Sequence, residues 1–156
     1  ADERIFAGVS SKRFMECFAE FLHGIEYTAD SERKDIGERY STVNSQYYQP
    51  FMSEHEYIME NYLVNYVFKN LFPFSGEKHI FDNYVMLIVH YAMIKMLLIG
   101  MAGFHKEKFK TEHVIKLIQS FSRTVEHNSA YLKKVNKLLR DNKFNTMPYM
   151  AILIKN

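Results

Sequence analysis

Between residues 84 and 104 the chain is almost unbroken in its apolarity, reading YVMLIVHYAMIKMLLIGMAGF. A stretch of that length either crosses a bilayer as one helix or runs through the middle of a helical core. Two of its side chains separate the readings. His90 and Lys95 lie inside it, and a lysine at the centre of a spanning helix costs roughly 2.5 to 3.5 kcal/mol on insertion scales. Gly100 and Gly103 weaken it further as a lone helix. A core helix with no membrane partner is therefore expected, spanning roughly residues 80–101, and such a helix needs apolar neighbours.

The rest of the chain supplies them with helical spacing. Phe14, Phe18, Phe21, Leu22 and Ile25 recur at three and four, opposite Lys12, Arg13, Glu16 and Glu20, which marks an amphipathic first helix from Ser11. Ile36, Tyr40, Val43 and Tyr47 mark a second, with a hard stop expected at Pro50 because proline disfavours helix at the residue before it. Ser53 and Glu56 have the spacing of a capping box for a third helix that Pro73 would close. Its apolar residues wrap most of the cylinder, so it is expected to be the main partner of the fourth. A connection over residues 103–110 should follow. Thr111 can cap a fifth helix bearing Val114, Ile118, Phe121 and Val125, and Ser129 a sixth bearing Leu132, Val135, Leu138 and Leu139. Pro148 suits the first turn of a short terminal helix. With no alternating strand pattern, internal repeat or Gly/Ser linker, the expectation is all-α: a single helical domain, residues 1–156, of about five to seven helices around two central apolar ones.

Charge narrows the partners. Twenty Lys and Arg stand against 18 Asp and Glu, a formal charge of +2. The one basic run, at 106–110, is broken by Glu107 and Phe109, so no nucleic-acid footprint is expected. The lone cysteine, Cys17, can form no internal disulfide and no thiolate cluster, and a reducing, cytoplasmic compartment fits it. With no initiator Met and no signal-peptide pattern in the first residues, Ala1 is read as the edge of a piece of a longer parent protein.

Few residues point to chemistry. The seven histidines include no pair spaced by four and no His-Glu-x-x-His, so no metal is expected. Nucleophile-elbow, phosphate-loop and Gly-x-Gly-x-x-Gly patterns are also missing. His90, on the most apolar helix, more commonly becomes a buried neutral imidazole bonded to a carbonyl than a catalytic group. Lys95 must pair with a carboxylate, reach solvent along the helix edge, or shift its pKa. Asn61 and Asn65, four apart on the third helix beside Tyr62 and Tyr66, would if buried either cross-link helices or line a polar pocket. Gln119, Arg123, Glu126 and His127 cluster on the fifth helix, where Arg123 and Glu126 can pair. Turned inward toward Lys95 or Glu60, they would form a charged site.

Three segments carry a likeness. Residues 47–52 (YYQPFM) leading into 60–74 (ENYLVNYVFKNLFPF), residues 90–100 (HYAMIKMLLIG), and residues 119–128 (QSFSRTVEHN) resemble the flagellin lysine-N-methylase family, in its carboxy-terminal helical part. The resemblance implies a bacterial parent that transfers methyl groups to lysine ε-amino nitrogens of flagellin, with S-adenosylmethionine as donor. In that family an amino-terminal Cys-x-x-Cys motif carries the proposed iron–sulfur chemistry. This sequence has only Cys17 in Met15-Glu16-Cys17-Phe18, so the missing amino-terminal half becomes an expected partner and the piece alone is expected to be inactive. Asn61, Asn65, Tyr62, Tyr66, His90, Lys95, Arg123, Glu126 and His127 are the candidates for holding substrate or donor. The competing reading is a non-enzymatic ligand-binding or dimerisation domain of a bacterial transcriptional regulator.

Overall fold

The computed structural model describes residues 11–70 and 77–155. In chain order it contains α1 (Lys12–Gly24), α2 (Arg33–Val43), α3 (Gln49–Ser53), α4 (Glu56–Asn70), α5 (Glu77–His105), α6 (Thr111–Thr124), α7 (Ser129–Asp141) and α8 (Met147–Lys155). No strand occurs among the described residues.

The apolar stretch is the axis of the fold. α5 is long and apolar enough to cross a membrane, but most of it is buried by its neighbours. Ile94, Leu97, Leu98, Ile99, Met101 and Ala102 are fully enclosed. The helix also runs further than the sequence suggests, absorbing Gly103 and ending in a 3-10 turn, Lys106–Lys108, in place of a loop from Gly103.

Those glycines explain why the main partner of α5 is α1, and not the expected third helix. Gly24 on α1 meets Gly100 so closely that a Cβ on Gly24 would lie 1.6 Å from the Gly100 carbonyl oxygen. A Cβ on Gly103 would meet Val43 of α2 and the Gly24 carbonyl. Small residues at a crossing let two backbones touch, which places Phe21 directly against α5. α4, by contrast, is half exposed: Tyr62 and Tyr66 face the core while Val64 is 52% and Phe68 67% exposed. Aromatic and apolar residues thus wrap α4 without neighbours covering every side.

Pro50 does not stop the second helix. The chain widens into a π segment, Asn44–Tyr48, in which the Gln49 N–H reaches the Asn44 carbonyl five residues back. Proline then falls in the first turn of α3, where a missing N–H costs nothing. Ser53 is not a cap either: its hydroxyl donates to the Pro50 carbonyl. The expected stop at Pro73 lies outside the described residues. Elsewhere caps shift by one position. Asn128, not Ser129, accepts the Tyr131 N–H, and Lys110, not Thr111, precedes α6, with His113 Nδ1 accepting the Lys110 N–H. On α7 the most buried side chain is Tyr131, and Leu138 is exposed. Ser11 caps α1 as its spacing indicates, and the short terminal helix forms with Pro148 in its first turn.

Candidate functional site

Of the singled-out residues, Tyr62, Tyr66, His90 and Glu126 gather in one cluster, and Lys95 stands apart from them at two cavities. His90, 1% exposed, is boxed by Tyr66 of α4, Phe121 of α6 and Tyr131 of α7, with ring centroids 5.8, 5.5 and 6.1 Å away. Neither ring nitrogen has a hydrogen-bond partner among the described residues, contrary to the expected carbonyl bond. Burial holds its pKa down at about 4, so the ring is neutral at physiological pH. Tyr62 donates to Glu126 Oε1 at 2.5 Å, tying α4 to the end of α6. Burial, then the Glu126 carboxylate, pushes the Tyr62 phenol above its ordinary range, and Tyr66 moves the same way for the same reasons. Tyr131, also raised chiefly by burial, donates to Met93 Sδ. This cluster joins helices, with its rings buried and only Glu126 partly exposed, and none of its rings lines either cavity at Lys95.

Two premises from the sequence need correcting here. Asn61 and Asn65 lie on the exposed face of α4, so they line no buried polar pocket. Arg123 does not pair with Glu126, whose carboxylate is taken by Tyr62; Arg123 and Gln119 face solvent, and His127 Nε2 lies 3.0 Å from Lys69 Nζ. The fifth-helix cluster therefore does not turn toward Lys95. The helical period of α6 puts Phe121 and Val125 inside, which forces Arg123 and His127 outward.

The surroundings of Lys95 are concave, and it forms a wall of two cavities. The larger, about 550 Å³, lies between the end of α1, the start of α2, the middle of α5 and Leu153 of α8. Its surface is apolar (Phe21, Leu22 and Ile25 facing Val89, Ala92 and Met96), with Arg33 and Tyr40 along α2. The second, about 460 Å³, is bounded by Tyr48 and Met52, by Glu56, Met59, Glu60 and Leu63 on one face of α4, and by Tyr91. Both volumes lie in the range of ligand sites. Lys95 makes no hydrogen bond or ion pair among the described residues, and partial burial lowers its pKa. Tyr48 is buried, its hydroxyl lacks a partner among the described residues, and burial followed by Tyr91 and Tyr40 raises its pKa. Lys95 thus neither pairs with a carboxylate nor escapes wholly to solvent.

Tyr48, Tyr91, Glu56 and Arg33 were not singled out from the sequence as site residues. The spacing 56, 59, 60, 63 could have shown Glu56 and Glu60 sharing a face of α4, but nothing local places that face opposite Lys95. Among the described residues no group of three His, Cys, Asp or Glu could hold a metal ion. His105 and His113 do stack at 3.6 Å, with His105 Nε2 against Glu20 at 2.9 Å. Cys17 is buried and solitary, and burial raises its thiol pKa to about 11.

Fold and cavities together define an all-helical domain with concave sites beside a central helix. Residues 1–153 match the FliB lysine N-methylase C-terminal domain, and the chain belongs to that family. No curated protein and no solved structure matches it. The regulator reading is not favoured by this membership.

Proposed function

We propose that the chain is the substrate-side domain of a bacterial, cytoplasmic flagellin lysine N-methylase, and that its second cavity receives the lysyl side chain to be methylated. The observation that carries this is the make-up of that cavity. Met52, Met59 and Leu63 offer an apolar sleeve for the lysyl methylenes, while Glu56, Glu60 and the rings of Tyr48 and Tyr91 suit an ammonium. Methyl transfer needs the neutral amine as nucleophile. The Lys95 ammonium, on the same cavity wall, partly offsets the pull of Glu56 and Glu60 toward the charged form and so eases loss of the proton.

S-adenosylmethionine is the proposed donor, held by the amino-terminal part of the parent protein. Among the described residues the larger cavity presents Lys95 and Arg33 and no carboxylate, which does not suit a sulfonium cation. An iron–sulfur cluster is likewise assigned to the cysteine-bearing part, because Cys17 alone cannot ligate one. By itself the domain binds but does not transfer methyl groups.

A titration of monomeric flagellin against the chain tests this. Wild type should bind, Glu56→Gln with Glu60→Gln should weaken binding at least tenfold, and Asn65→Ala and Arg123→Ala, on exposed faces away from the cavity, should change it less than twofold. Absence of binding by wild type would leave a scaffolding role for the helical half.

A further inference from the structure

The larger cavity is not used by the reading above, and its charges point elsewhere. Nearby cations on α2 are neutralised: Arg39 pairs with Glu26 at 3.3 Å and Lys34 with Glu38 at 3.9 Å. Arg33 and Lys95, the two cations lining the cavity, have no such partner among the described residues, and no acidic side chain lines it. The rest of the lining is largely apolar, from α1, α5 and Leu153. A site that joins an apolar body to unneutralised positive charge is complementary to an amphiphile with an anionic head.

We propose that the cavity between α1, α2, α5 and α8 binds a single-chain aliphatic carboxylate, with its head on Lys95 and Arg33 and its chain along Leu22, Ala92, Met96 and Leu153. A carboxylate matches the lining because Arg33 presents a planar fork of donors, Lys95 presents an ammonium, and no acidic side chain among the described lining residues competes for either. The partial desolvation of Lys95 strengthens such a pair relative to one in open water. Each methylene buried should raise affinity about fourfold until the cavity is filled. Because Lys95 borders both cavities, an acid bound here would also neutralise the charge that faces the lysyl site, coupling the two.

Calorimetric titration of the full chain with octanoate, decanoate and dodecanoate, each below its micelle concentration, tests the proposal. Affinity should rise with chain length. Dodecanol and dodecyltrimethylammonium should bind at least tenfold more weakly than dodecanoate. Lys95→Met should lose at least tenfold for dodecanoate and less than twofold for dodecanol, and Lys95→Arg should recover most of that loss. Ala92→Phe, which fills the cavity, should abolish binding. Leu153→Trp fills it from α8 should the α5 variant fail to fold by circular dichroism. Equal binding of the acid, the alcohol and the cation would overturn the proposal, as would an unchanged affinity in Lys95→Met. So would binding to phosphatidylglycerol vesicles with none to monomeric acid. Arg33→Gln separates the two readings: it borders only this cavity, so it should weaken dodecanoate and leave flagellin binding unchanged.

Discussion

The crossing of α1 and α5 allows one substitution to be tested with opposite signs at two places. In an exposed helix, replacing glycine by alanine stabilises by about 1 kcal/mol, because glycine loses more backbone freedom on folding. Gly37 of α2 is such a site, since a Cβ there meets nothing within 4 Å. Gly37→Ala should raise stability by about 0.5 to 1 kcal/mol. At Gly24 the same methyl would stand 1.6 Å from the Gly100 oxygen and 2.8 Å from the Phe104 nitrogen, both backbone atoms that cannot rotate away. Restoring ordinary contact means parting the helices by about 2 Å, well beyond the gap at which packed atoms forfeit half of their attraction. That displacement reaches Phe14, Phe18 and Phe21 together, so it exceeds the usual overpacking cost of about 1 to 3 kcal/mol, and Gly24→Ala should destabilise by about 3 kcal/mol or more. Urea unfolding followed by circular dichroism measures both. A Gly24→Ala midpoint within about 0.5 kcal/mol of wild type would refute the close crossing, and with it the placement of the larger cavity, whose wall Phe21 forms.

Other expectations follow from the buried groups. His90 has a folded pKa of about 4 against 6.5 unfolded, so the unfolded chain binds the extra proton between those values. Its contribution is fully present above pH 6.5 and is lost as pH falls toward 4, by about 3 kcal/mol in all; the stability of wild type minus that of His90→Leu, measured by urea midpoints, should therefore fall by about that amount from pH 7 to pH 4 and be flat above pH 7. Tyr62→Phe removes the bond to Glu126 and should cost about 1 to 2 kcal/mol in the same assay, while Tyr57→Phe, on the exposed side of α4, should cost nothing measurable. Native Cys17, enclosed and with a thiol pKa raised to about 11, should resist a thiol reagent at pH 8 and react at the rate of unfolding in intermediate urea. Rapid labelling without denaturant would contradict its burial.

Much of the fold was legible because helices are local. The three-and-four spacing of Phe14, Phe18 and Phe21, the Ser11 cap, and Pro148 at a first turn are all properties of neighbouring residues, and each element formed about where its pattern lies. The unbroken apolarity of 84–104 together with Lys95 was enough to indicate a core helix, and the likeness of three short segments was enough to indicate the family. Where the sequence misled, the deciding forces acted between elements. Pro50 reads as a stop until a π turn moves its missing N–H into a first turn. Asn61 and Asn65 read as buried because α4 is apolar around most of its circumference, and only docking decides that Tyr62 and Tyr66 face inward. The pairing of Arg123 with Glu126 is sound helix geometry, yet Tyr62, sixty-four residues away, takes the carboxylate. Gly24, Gly100 and Gly103 carry no pattern that ties them together, and their contact fixes which helix lies against α5. The cavities beside Lys95 exist only because α1, α2, α4 and α8 arrive there from distant parts of the chain: helical periodicity assigns a residue to a face, but tertiary packing alone decides what that face meets.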